Sequence, residues 1–213
     1  MNEPDVMVYL MTGFLDSGKT GFLKFTLKQD YFQIDGKTLL ILCEDGEDEY
    51  DAMEMLRYGV VIERLEDREE LTEEYLAELD RKHEPDRVVI EYNGMWKLED
   101  LLSIRYPRSF ELQGVYSTVN GMTLDMYLMN MRNMLMEQLT ESELIVVNRC
   151  ADGVNRSGFR RALKVQNPMA QLLFEDMQGK IIEPSEEDLP YDVKGDKIVL
   201  DDVDFGVWYV DAY

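Results

Sequence analysis

Short, evenly apolar runs alternate along the first 180 residues with longer stretches whose apolar positions recur at helical spacing. The apolar runs fall at 6–11, 38–43, 88–91, 114–119, 144–148 and 171–174, and their length and composition predict strands. Between them, 19–29, 50–57, 68–83, 98–104, 123–139 and 157–165 read as helices. The runs are too short and too uniformly apolar for strands wetted on one face, and suit strands buried on both. Alternation of this kind implies βαβ crossovers. The expected fold is α/β, a doubly wound and mostly parallel sheet with helices on both faces.

The pattern changes near residue 180. Residues 1–180 read as one nucleotide-binding-sized domain and 181–213 as a short β-rich C-terminal extension. The extension carries Pro184 and Pro190, a turn at Lys194-Gly195-Asp196, and strand-like runs at 197–200 and 205–209. Its aromatic end, Trp208, Tyr209 and Tyr213, suits a docked segment.

Composition narrows the function classes. A hydrophobic content of 45% over 213 residues is that of a globular chain, not an acidic tail. Against 22 Lys and Arg stand 44 Asp and Glu, for a formal charge of −22. That surplus argues against nucleic acid and against an anionic membrane surface as partners, since both need basic patches. Cys43 and Cys150 are too few for a disulfide framework and point to a reducing compartment. With no leader-like start and no apolar run of roughly 18 residues, a cytoplasmic protein is expected.

The strongest chemical signal is Gly13-Phe14-Leu15-Asp16-Ser17-Gly18-Lys19-Thr20, which fits G-x-x-x-x-G-K-[ST] at every fixed position. It lies where the mechanism needs it, between a predicted strand and a predicted helix. Gly13 and Gly18 let the backbone curl so that N–H groups, including those of Asp16 and Ser17, point inward on phosphate oxygens. The helix start, with Gly21 as an unusual weak helix former in its first turn, adds its positive dipole end. Lys19 would reach the β- and γ-phosphates, and the Thr20 hydroxyl would hold magnesium. The motif predicts a P-loop NTPase with a nucleoside triphosphate and Mg2+ as ligands.

Further along, Glu91-Tyr92-Asn93-Gly94 closes one apolar run in Glu-x-x-Gly, and Asn148-Arg149-Cys150-Ala151-Asp152 closes another. Asn167-Pro168-Met169-Ala170 precedes a third. Taken with the phosphate loop, the acidic segment 43–51 and the helix carrying Gln138, this ordered set resembles the CobW-type family of P-loop GTPases. That group also contains the nickel-enzyme maturation GTPases HypB and UreG. The resemblance covers about residues 5–178.

It implies a regulatory or maturation GTPase, with ATP as the lesser alternative substrate. Position by position, Ser17, Gly18, Lys19 and Thr20 match the phosphate and magnesium residues. Glu44, Gly46, Glu47 and Asp51 match a switch-like acidic segment near the metal, Glu91 and Gly94 the Glu-x-x-Gly, and Asn148 the base contact. Lys19 and Glu91 are then the catalytic candidates, Thr20, Glu44, Asp51 and Glu91 the metal candidates, and Asp152 a second base-reading candidate.

The chain departs from the family in three places. Gly59 is followed by Val60-Val61-Ile62-Glu63-Arg64-Leu65 where a Cys-x-Cys-Cys metal motif belongs. Arg149 stands for a lysine, and Asp152 falls one residue late. About 33 residues follow where the family has a larger C-terminal domain. A catalytically degenerate interaction module that binds nucleotide without turnover therefore remains the alternative.

Other features read more simply. Met122, Met126, Met129, Met131, Met134 and Met136 make the predicted helix 123–139 apolar around much of its circumference. Such a helix suits a core position with a helix–helix or homodimer contact, or an adaptable surface for a protein client. The acidic run 63–84 reads as a solvated face. His83 is the only histidine, so no zinc site assembles with the two cysteines at ordinary spacing.

Overall fold

The computed structural model describes residues 6–44 and 49–182. The elements follow in the order β1 (Val6–Thr12), α1 (Lys19–Thr26), β2 (Thr38–Leu42), α2 (Ala52–Arg57), β3 (Val60–Arg64) and α3 (Glu73–His83). After these come β4 (Arg87–Glu91), α4 (Leu98–Leu102), β5 (Phe110–Asn120), α5 (Leu124–Asn130), α6 (Arg132–Leu139), β6 (Leu144–Cys150), α7 (Arg156–Gln166) and β7 (Gln171–Asp176). Among the described residues, seven strands form one sheet in the order β3-β2-β4-β1-β5-β6-β7. All six pairings are parallel. The α/β expectation is met.

Period-2 alternation sends each strand's apolar side chains to two faces. Val8 and Leu10 of β1, Ile41 of β2 and Ile90 of β4 pack with Leu76 and Leu79 of α3 and Leu101 of α4. Met11, Leu40 and Val89 point the other way, onto Leu23 of α1 and Met55 of α2. Towards the β7 edge, Val119, Ile145, Val147 and Phe174 pack with Leu135 and Leu139 of α6 and Phe159 of α7. Burial on both faces explains why β2 and β4 show no polar alternation.

β4 is capped at each end by a buried charge. Arg87 donates to Phe32 O at 2.9 Å and to Thr38 Oγ1 at 2.8 Å, and stacks on the Phe32 ring. Burial lowers its pKa to about 10. Glu91, at the other end, belongs to the site.

Two elements differ from the sequence reading. β3, an edge strand pairing only with β2 in the sheet order, occupies the segment after Gly59 where no strand was expected. Its half-buried Val61, Ile62 and Glu63 lack the burial pattern of the central strands. The expected helix 123–139 is two helices, broken at Met131, whose φ of −137° and ψ of 31° leave the helical region. Most of the methionines face outward. Met122, Met126, Met129 and Met134 are exposed, and only Met136 of the six joins the core.

Past β7 the chain turns back, with Ile181 bridging Glu175 and the Ile182 N–H donating to Phe174 O at 2.8 Å. The expected strands at 197–200 and 205–209 lie outside the described residues, as do Gly46 and Glu47. Among the described residues no helix is long and apolar enough to cross a membrane.

Candidate functional site

The order of the strands reverses its direction of growth at β1, and ligands of open α/β sheets settle at the carboxyl ends of strands beside such a switch point. The phosphate loop leaves β1 there. Gly18, at φ 98°, is the N-cap of α1, and a Cβ on it would stand 2.4 Å from Asn148 Nδ2. The fit is tight because β6 grips the loop. Asn148 Nδ2 donates to Ser17 O at 2.8 Å, and Arg149 Nη1 donates to Asp16 O at 2.9 Å. Ser17 Oγ and Thr118 Oγ1 of β5 are 2.8 Å apart. Arg149 thus puts a cationic side chain on the loop backbone.

Lys19 is 3% exposed, and its ammonium has three N–H groups to place. They go to Gly13 O at 2.7 Å, Phe14 O at 2.9 Å and Glu44 Oε1 at 2.6 Å. The second oxygen of Glu44 accepts the Gly94 N–H at 3.0 Å. One carboxylate therefore joins the loop lysine to the turn after β4. That turn sits so close to the phosphate loop that a Cβ on Gly94 would meet Gly13 O at 2.3 Å and Phe14 Cα at 2.6 Å.

Beside this bridge lies a second buried carboxylate. β4 places Glu91 between Met11 of β1 and Leu42 of β2. Thr20 Oγ1 donates to Glu91 Oε1 at 2.6 Å, and the Tyr50 hydroxyl donates to Oε2 at 2.5 Å. Burial raises the Glu91 pKa, opposed by these two hydrogen bonds and by the Lys19 charge. Burial and the Glu91 carboxylate push the Tyr50 phenol well above its ordinary value.

The structure thus brings Gly13, Ser17, Gly18, Lys19, Thr20, Glu44, Glu91 and Asn148 together at one end of the sheet. It leaves other candidates apart. Asp51 is exposed and caps α2, its Oδ1 accepting from Met53 N at 2.9 Å and Glu54 N at 3.0 Å. Asp152 is exposed on the turn after β6, whereas Gly21 faces open space on α1 where it lines a cleft beside the loop. Sequence reasoning missed Tyr50, because the start of an amphipathic helix carries no signal that its neighbour is buried beside Glu91.

A hydroxyl and carboxylate oxygens suit a hard cation such as magnesium, which keeps water and phosphate among its ligands and needs few protein ones. Among the described residues no group of three His, Cys, Asp or Glu side chains forms an all-protein metal cage. The donor set fits magnesium bound together with a nucleotide.

Next to the loop opens a cleft of about 350 Å³. Gly21, Phe22 and Phe25 of α1 form one wall, and Asn148, Arg149 and the segment 175–179 another.

Residues 7–173 match the family model described as the CobW/HypB/UreG nucleotide-binding domain. A search of curated proteins finds no match. Among solved structures, the hydrogenase maturation factor HypB from Archaeoglobus fulgidus is 17% identical, with a TM-score of 0.56, covering 83% of this chain and 84% of its own. Zn(II)-bound YjiA GTPase from E. coli is 22% identical with a TM-score of 0.60, and the alignment covers 98% of this chain but 62% of YjiA. HypB from Helicobacter pylori in complex with nickel is 12% identical with a TM-score of 0.53, covering 99% and 93%. These likenesses establish the shared fold.

Proposed function

The chain belongs to the CobW/HypB/UreG nucleotide-binding domain family, and from that premise we propose that it is a magnesium-dependent GTPase working as a slow regulatory or maturation switch. One observation carries the reading. The Lys19 ammonium and the Gly94 N–H converge on a single carboxylate at the mouth of the phosphate loop. A cation and an N–H donor that already hold an anion are the groups a terminal phosphate needs.

In this mechanism the triphosphate displaces Glu44 from Lys19 and Gly94. Water attacks the γ-phosphorus in line as the bond to the β–γ bridging oxygen breaks, and Lys19 neutralises charge on the transferring group. Magnesium, when bound, withdraws charge from the phosphate oxygens. Thr20 and Glu91 would hold it, since Thr20 donates its proton to Glu91 and keeps oxygen lone pairs for a cation. Glu91 would also orient the attacking water or the metal's outer ligands from its place at the end of β4.

Lys19→Ala is expected to abolish GTP hydrolysis. Hydrolysis of GTP by that variant at the wild-type rate would show the assignment to be wrong. The alternative, a module that binds nucleotide without turnover, draws on the saturation of all three Lys19 N–H groups by protein acceptors. Tight GTP binding with no phosphate release by the wild type would favour it.

A further inference from the structure

The cleft beside the phosphate loop lacks Asp152, the carboxylate that sequence reasoning assigns to the base. It contains a different one. Glu175, on β7, lines the cleft together with Asn148, whereas Asp152 sits on an exposed turn outside it. Glu175 and its neighbour Asp176 are not equivalent. The Oδ1 of Asp176 accepts Gln178 N at 2.8 Å and Lys180 N at 2.9 Å, and so holds the turn after β7. The pKa of Glu175 is pushed up to about 7 by burial and by the Asp176 charge, with no cation contributing. It is a desolvated carboxylate that gains from meeting N–H donors.

A second observation points to a ligand at the same place. Asn148 is 8% exposed, its Nδ2 is held by Ser17 O, and its Oδ1 is a buried acceptor with no partner among the described residues. Across the cleft, Phe25 is 54% exposed, a large aromatic ring left at the rim. A flat heterocycle satisfies such a wall by stacking on it.

Resting on the nucleotide-binding reading above, we infer that Glu175 is the specificity-determining carboxylate of this site and reads the Watson–Crick edge of guanine in place of Asp152. Guanine presents two donors, N1–H and the 2-amino group, which an ionised carboxylate accepts together. Adenine presents an acceptor at N1 and is refused, since the half-buried carboxylate would face a lone pair. Xanthine carries a carbonyl where guanine has its 2-amino group. A Gln at 175 would accept N1–H and donate to that carbonyl, turning the preference from GTP to XTP.

The test is titration of fluorescent GTP, ATP and XTP, with magnesium, into the full chain and its Glu175→Gln and Asp152→Asn variants. Circular dichroism of each variant confirms that it is folded. Expected are a preference of the wild type for GTP, at least a tenfold loss of GTP affinity with a gain for XTP in Glu175→Gln, and an unchanged order in Asp152→Asn. A switch to XTP in Asp152→Asn, unchanged GTP affinity in Glu175→Gln, or a wild type that prefers ATP overturns the inference and leaves the nucleotide reading intact. A wild type that binds none of the three overturns both.

Discussion

Lys19 Nζ and Glu44 Oε1 lie 2.6 Å apart, with the side chains 2% and 10% exposed, and the same carboxylate holds the Gly94 N–H. The phosphate loop thus holds an anion supplied by the chain itself. Removing that anion strips a buried cation of its partner, which costs stability, and removes a competitor for the γ-phosphate. Glu44→Gln is expected to lower the melting temperature of the free protein. With magnesium chelated, it should also bind GTP more tightly, by about five- to tenfold, or about 1 kcal/mol. Calorimetry and fluorescence titration in EDTA check both halves. Unchanged or weaker metal-free binding would refute the competition.

Tyr50→Phe tests the buried Glu91. The substitution removes the hydrogen bond to Oε2 and leaves a charge that is almost wholly buried with one donor fewer. A bond to a charged group is worth about 2 kcal/mol, and denaturant unfolding at neutral pH is expected to show a loss of that order. Single-turnover hydrolysis should slow as well, since Glu91 also positions Thr20. A fully stable Tyr50→Phe protein would mean that the Tyr50 hydroxyl contributes little to the site.

Gly94→Ala should damage function without unfolding the protein. Its Cβ would press on the backbone of Gly13 and Phe14, so the turn and the phosphate loop must separate. GTP hydrolysis is expected to fall at least tenfold while the circular dichroism spectrum stays that of the wild type. Retained hydrolysis would show that the close approach is not needed.

The raised pKa of Glu175 has a signed effect on stability. Its ordinary value is 4.5 and its folded value about 7, so between these the folded state holds a proton that the unfolded state has lost. Stability contributed by this group is present below about pH 4.5 and declines as pH rises towards 7. Glu175→Gln, which cannot ionise, should lose less stability than the wild type over that window. Urea unfolding at several pH values measures the difference, and parallel curves would contradict the desolvation of this half-buried carboxylate.

The architecture was largely legible before folding was considered. Among the described residues, six of the seven strands follow from evenly apolar runs, because burial on both faces keeps the middle of a central strand apolar, as in Val88-Val89-Ile90 between Arg87 and Glu91. Edge position does not by itself hide a strand, since β7 at the opposite edge was read; β3 escaped with its apolar run limited to Val60-Val61-Ile62 ahead of the charged Glu63 and Arg64. The split at Met131 escaped because apolar spacing predicts helical faces and is blind to a single residue leaving helical φ and ψ.

For the site, the sequence alone determined the phosphate loop and the strand ends that carry Glu91 and Asn148. Those features depend on fixed short spacings between neighbours in the chain. Tertiary structure alone decided which distant groups meet: Glu44 on Lys19 and Gly94, Tyr50 on Glu91, Arg149 on Asp16, and Glu175 in the cleft that Asp152 does not reach. The reason is that parallel crossovers bring strand ends far apart in the sequence into one crevice. The partner each buried charge finds there depends on strand order and register, which no local pattern records.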